Sequence, residues 1–90
     1  MKLVFAEQAW ADYLHWQTQD VSVLVRVNDL VADARRSPFT GIGKPEPLVG
    51  NLKGWWSRRI TLEHRLVYRV SGSGRDQALE IASCRFHYRR

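Results

Sequence analysis

The sequence predicts an α+β domain: an N-terminal strand, then an antiparallel two-helix hairpin packed on a mainly antiparallel sheet that three C-terminal strands complete. Three observations carry this expectation. Apolar residues recur at helical spacing from about position 6 to position 34. From Trp55 onward the pattern alternates with the period of a strand. Between them, residues 37–54 hold three prolines and four glycines, too many for a regular element. Ninety residues fit one domain spanning 1–90, and a hydrophobic fraction of 44% suffices for one small core without a staple.

The first strand is the β-prone run Leu3-Val4-Phe5 within Met1–Glu7. From Glu7 a helix is expected, with Ala6, Trp10, Tyr13, Leu14 and Gln17 on one stripe and the acids Glu7 and Asp12 near its positive end. Asp20 is a plausible N-cap for a second helix. In that helix Leu24, Val27, Leu30, Val31 and Ala34 form an apolar stripe, with Arg26, Asp29, Asp33 and Arg35 around the other side. Its valines are poor helix formers, so the stripe must be buried to hold the helix. Pro38 ends it.

The stretch 37–54 is too long for an idle connection, and Pro45-Glu46-Pro47 argues that it is functional. Each proline fixes its own φ and biases the preceding residue to extended backbone, so Glu46 sits on a stiff bracket. In WWSRRIT, Trp56, Arg58 and Ile60 share one face and Trp55, Ser57 and Arg59 the other. In the next strand Leu66, Tyr68 and Val70 oppose Arg65, Val67 and Arg69. After the turn SGSGRDQ, the last strand runs from Ala78 to Tyr88. Strict alternation would put Leu79, Ile81, Ser83, Arg85 and His87 on one face.

The net charge of +5 points to an acidic partner, either nucleic acid or an acidic protein segment. A membrane is not expected as a partner, because no basic amphipathic helix stands out. The single cysteine, Cys84, forbids an intrachain disulfide and argues against a thiolate zinc site. No cluster has metal-ligand spacing, so no cofactor is expected. The N-terminus meets charge and tryptophan almost at once, unlike a signal peptide, and the chain reads as soluble and cytoplasmic.

Each charged candidate has an ordinary reading: Glu46 solvated, Arg58 and Arg59 on an exposed strand edge, Glu63 and Arg65 a surface ion pair, His64 a turn residue, and His87-Tyr88 the packed end of the sheet. Together they fit one reaction. RNA cleavage by its own 2′-hydroxyl needs a base near that oxygen, cations around the phosphate and an acid at the leaving 5′-oxygen. Glu46 suits the base, Arg59 and Arg65 the phosphate clamp, and a histidine such as His87 the acid. Tyr88 and the tryptophans offer stacking surfaces.

The motifs GKPEPL, WSRRI, EHRLVY and the closing CRFHY, with MKLVFAEQAWADYLHW and RRSPFTGIGKPEPL before them, resemble the YoeB/Txe toxins of the RelE/ParE superfamily over nearly the whole chain. The resemblance implies a RelE/ParE-like fold and a ribosome-dependent messenger-RNA endonuclease that cuts A-site codons and inhibits translation. It also implies a YefM-type antitoxin with an acidic wrapping segment, and it raises the prospect of a homodimer. By position, the catalytic residues are Glu46 in KPEPL, Arg65 in EHR, and His87 and Tyr88 in the closing motif. Arg59 resembles a phosphate-binding position, with Lys44, Arg58 and Glu63 as further candidates nearby. Val49 departs from the pattern, standing where relatives carry a basic residue, and Arg89-Arg90 extends beyond the tyrosine that often ends the chain. Two other readings stay open: a ParE-like inhibitor of DNA gyrase without nuclease activity, and a plain nucleic-acid-binding module.

Overall fold

Asp20 separates the two helices as its spacing predicts. Its Oδ1 accepts the N–H groups of Ser22 at 3.1 Å and Val23 at 3.3 Å, occupying two donors that the first turn would otherwise leave unpaired. The computed structural model describes residues 1–87; the expectations for Tyr88, Arg89 and Arg90 fall outside the described residues. In these residues β1 (Lys2–Phe5) leads into α1 (Glu7–Gln19) and α2 (Val21–Arg36). Then come β2 (Glu46–Pro47), β3 (Trp56–Arg59), β4 (Arg65–Ser71) and β5 (Ala78–Ser83). The sheet order is β1-β5-β4-β3-β2, with β1 parallel to β5 and every other pair antiparallel.

The α+β expectation holds, with one addition: the proline-rich stretch contributes β2 as a fifth strand, through Glu46 opposite Ser57 and Pro47 opposite Trp56. Val27, Leu30 and Ala34 of α2 are fully buried, as are Leu66 and Tyr68 of β4 and Leu79 and Ile81 of β5. This interface supplies the apolar burial that a valine-rich helix needs.

Two expectations are corrected. The inward stripe of α1 is Ala9, Asp12 and Trp16, while Trp10 and Leu14 of the expected stripe are 50% and 41% exposed. The cause lies where the chain leaves β5. Asp12 Oδ2 accepts the Cys84 N–H at 3.0 Å, and Trp16 Nε1 donates to the Cys84 carbonyl at 2.8 Å. A buried peptide group beyond the sheet must be paired, and α1 turns polar atoms inward to do it. The second correction is a register shift between Val67 and Tyr68. Tyr68 faces Ile81 whereas Val67 faces Ser83, so Ala82 is an extra residue. The bulge breaks the expected alternation: Ser83 joins the face of Val67, Cys84 enters the core, and the strand stops at Ser83.

Candidate active site

Residues 37–43 lack ladder partners, and one buried arginine gathers them. Arg58 is fully buried and spends all its donors. Nε donates to the Tyr68 hydroxyl at 2.9 Å. Nη1 reaches Asp33 Oδ2 at 2.5 Å and the Ile42 carbonyl at 3.1 Å. Nη2 takes the carbonyls of Ser37 at 2.6 Å and Thr40 at 2.9 Å. The Tyr68 hydroxyl in turn donates to the Pro38 carbonyl at 2.6 Å. Arg59 N–H donates to the Gly43 carbonyl at 2.7 Å, and Lys44 follows in the left-handed region at φ 55°. The loop thus reaches Glu46 with most of its carbonyls already paired. Arg58 is therefore corrected from a phosphate contact to a buried anchor, because no donor of its guanidinium is left for a ligand.

Cross-strand register then fixes which side chains share a face. Glu46, Ser57, Val67 and Ser83 form one row across β2, β3, β4 and β5, on the face turned away from the helices. Arg59 and Arg65 oppose each other in the next row of the same face. Ser57, Val67 and Ser83 are small and buried, so the longer, exposed Glu46 and Arg59 rise around a low floor, with Arg65 buried at its margin. Neighbouring strands are about 4.8 Å apart and the rows are two residues, about 7 Å, apart along the strand, which puts the Glu46 and Arg65 backbones roughly 12 Å apart. Both side chains are long enough to converge on one phosphodiester.

Arg59 is exposed, as is Glu46, which lies 3.7 Å from Lys44 Nζ. Glu63 is exposed in the turn before β4. Arg65 is buried, only 8% exposed, and its Nη1 donates to the carbonyls of Thr61, Leu62 and His64. That contact stiffens the turn and sets the direction in which the guanidinium leaves β4.

The histidine end of the site is brought to the start of β4 by two hydrogen bonds, one backbone to backbone and one from the backbone to a side chain. Arg65 N–H donates to the Phe86 carbonyl at 2.9 Å, and Phe86 N–H donates to His64 Nδ1 at 2.8 Å. His87, exposed, follows directly. The described residues thus place Glu46, Arg59, Arg65 and the approach to His87 along one side of the sheet. Tyr88 lies outside them.

Electrostatics sharpen the picture. The Arg58 guanidinium, and then the Ile42 N–H, hold the Asp33 carboxyl below the usual carboxylate range. Burial pushes the Tyr68 hydroxyl up despite its bond from Arg58. Burial also pulls His64 below the usual histidine value, with Arg85, His15 and Arg65 adding to the effect and Glu63 opposing it. Arg85 lies with its guanidinium 4.6 Å from the Phe86 ring centre, and its buried Nε has no hydrogen-bond partner among the described residues.

Sequence reading missed the contacts of Asp33, His64 and Arg85, and of Arg58 as well; of these four, Arg58 alone gave a usable signal, since alternation placed it with Trp56 and Ile60 on the face that becomes the core. Among the described residues, no group of His, Cys, Asp and Glu is gathered to hold a metal ion, and no helix is long and apolar enough to cross a membrane. An apolar hollow of about 460 Å³, beside Phe5, Trp10 and Tyr13, is lined by none of the candidate site residues.

Two helices on a five-stranded, mostly antiparallel sheet, with a basic open face, define a toxin fold of the RelE/ParE type. The chain belongs to the YoeB family: the family described as "YoeB-like toxin of bacterial type II toxin-antitoxin system" matches residues 5–88. Toxin YoeB of Escherichia coli strain K12 is 56% identical over 88 residues, covering 98% of this chain and all of that one. A YoeB/ParE toxin from Agrobacterium tumefaciens is 58% identical, superposes with a TM-score of 0.94, and covers 98% of this chain and 100% of its own. The Staphylococcus aureus YoeB dimer is 43% identical with a TM-score of 0.86, over 98% of both chains. The same organism's toxin in a heterotetrameric YoeB–YefM complex gives 43% and 0.85, again over 98% of both.

Proposed function

We propose that this toxin is an endoribonuclease that cuts messenger RNA in the ribosomal A site, and so inhibits translation in the cytoplasm. The observation that supports this most directly is the adjoining rows of Glu46 and of Arg59 with Arg65 on one sheet face, with the His87 end tied to the start of β4. Glu46 takes the proton of the 2′-hydroxyl as that oxygen attacks the adjacent phosphorus. Arg59 and Arg65, with Lys44 at the margin, hold the phosphate and offset the charge that builds on its oxygens, and Glu63 stands nearby in the turn before β4. The P–O5′ bond breaks, and His87 delivers a proton to the departing 5′-oxygen, with Tyr88 stacking or donating beside it. No step calls for a metal ion. Ribosome dependence follows from the wide spacing of the groups and the exposure of Glu46, Arg59 and His87. Such a site gains most when a partner holds the 2′-hydroxyl in line with the leaving oxygen.

A YefM-type antitoxin is the proposed protein partner, as in the staphylococcal complex, and a homodimer is a second assembly, as in the staphylococcal dimer. An acidic segment of the antitoxin would meet the same arginines that hold the phosphate.

The test is a translation assay with purified ribosomes and a defined message, mapping cut ends by primer extension for wild type and His87→Ala. Cuts inside the A-site codon that vanish in the variant are the expected result. Absence of cuts by wild type, with supercoiling by DNA gyrase blocked instead, would overturn the nuclease reading in favour of a gyrase inhibitor.

A further inference from the structure

Among the described residues only Lys44 and Phe86 adopt a left-handed backbone without being glycine, at φ 55° and 65°. They flank the two ends of the candidate site, two residues before Glu46 and one before His87. A bulky aromatic residue keeps such a conformation only where its surroundings over-determine it. At Phe86 both peptide groups are tied: Arg65 N–H holds its carbonyl, and its own N–H is held by the His64 ring. The second tie comes from a side chain, so it can be cut without touching the sheet.

We propose that His64 is a positioning residue: by accepting the Phe86 N–H on Nδ1 it keeps Phe86 left-handed and so fixes where His87 stands, and a proton on Nδ1 releases it. This rests on the reading of His87 as the acid of RNA cleavage.

His64 is well placed to hold something else still. Its carbonyl accepts the N–H groups of Ile60 at 3.0 Å and Thr61 at 3.3 Å, and its own N–H donates to Thr61 Oγ1 at 3.2 Å. Its ring packs edge-on against Trp16, with centres 4.8 Å apart. Trp16 is itself fixed to the Cys84 carbonyl. One histidine therefore couples α1, the turn before β4 and the segment that carries His87.

The acceptor must be unprotonated to work. The charged groups around the ring favour that state. His15 faces it from α1, Arg65 from β4 and Arg85 from the C-terminal segment. Glu63 beside it opposes them, and Asp20 lines the same hollow of about 250 Å³ between α1, α2 and the turn. Burial, the largest influence, acts with the cations and keeps the ring neutral at pH 7. Acidification through the lowered His64 value adds the proton on Nδ1 and turns the acceptor into a second donor facing the Phe86 N–H.

The experiment compares wild type with His64→Asn, whose amide oxygen can replace Nδ1 but does not titrate, and with His64→Leu, which cannot accept. Protection of the Phe86 amide against hydrogen exchange is followed by NMR as the pH is lowered from about 7.5 for as long as the protein stays folded. Single-turnover cleavage is measured at saturating ribosomes. His64→Leu is expected to lose about tenfold in Phe86 protection and in cleavage rate, the loss of one hydrogen bond, without weaker ribosome binding. His64→Asn is expected to restore both, and to keep on acidification the protection that wild type loses. Unchanged protection in His64→Leu, or failure of His64→Asn to restore it, would overturn the proposal. If His64→Leu does not fold, the acid titrations of wild type and His64→Asn decide, since identical loss of protection in both refutes it. If wild type cuts nothing on ribosomes, the nuclease reading fails, and the exchange data still decide the role of His64.

Discussion

Arg58 Nη1 donates to Asp33 Oδ2 across 2.5 Å, joining the middle of β3 to the last turn of α2 beneath the loop that carries Glu46. The pair is more than an ion pair, because the other donors of Arg58 hold three loop carbonyls and the Tyr68 hydroxyl. Arg58→Met keeps the volume and removes every donor, leaving buried acceptors unpaired. It is expected to destabilise the protein by about 3–5 kcal/mol. Arg58→Lys should fall short of rescue, since an ammonium cannot span the fork of partners. Urea unfolding of the three proteins measures both effects.

Gly41 tests the same anchor from the loop side. Its φ is 118°, and a Cβ there would overlap Asp33 Oδ2 and stand 3.4 Å from Arg58 Nη1. Gly54 also has a positive φ, of 96°, but a Cβ would meet nothing within 4 Å. Both alanine variants incur backbone strain of roughly 1–3 kcal/mol. Only Gly41→Ala should add the cost of displacing the carboxylate. Thermal unfolding is expected to show a distinctly larger fall in Tm for Gly41→Ala than for Gly54→Ala.

The depressed Asp33 value makes stability depend on pH in a defined direction. The unfolded chain binds a proton at Asp33 near the reference value of 3.8, before the folded chain does. The contribution of Asp33 is therefore fully present above that value and is lost as pH falls through the lower folded value. In Asp33→Asn the group cannot titrate. The stability difference between wild type and this variant should stay constant from pH 7 to pH 5 and shrink below about pH 4. Denaturant midpoints at each pH check this, and a difference independent of pH down to pH 2 would contradict it.

The parts of the fold that follow local rules were legible in the sequence. The Asp20 cap, the α2 stripe and the faces of β3 and β4 depend on residues within a few positions of one another. What escaped depends on partners far along the chain. Asp12 reads as a first-half surface acid until Cys84, 72 residues on, presents an N–H that needs an acceptor. The β5 bulge cannot be seen in ALEIASCRFHY, because alternation within one strand carries no information about register against another. Arg58 was placed on the right face and given the wrong surroundings, since the pattern cannot show that Asp33 turns inward to meet it. The site divides in the same way. The extended backbone at Glu46 was legible from its proline bracket, whereas the bond made by His64 needed Phe86 beside it, 22 residues away.

Glu46 and Arg58 offer two separable ways to lose activity on the proposed reading. Glu46 is exposed, and its nearest cation, Lys44, is a solvated partner at 3.7 Å worth little to folding. Glu46→Gln preserves size and polarity while removing the base. Cleavage on ribosomes is expected to fall by about 10²–10⁴-fold with the unfolding midpoint unchanged. Arg58→Lys should instead lower stability and cleavage together, because the loop that presents Glu46 loses carbonyl partners. Combining the two substitutions separates the effects. If Arg58 acts only by placing Glu46, the double variant should cleave no more slowly than Glu46→Gln alone, while its stability matches that of Arg58→Lys. Additive losses in cleavage would mean that Arg58 supports the reaction by another route, through the adjoining Arg59 and Arg65 row.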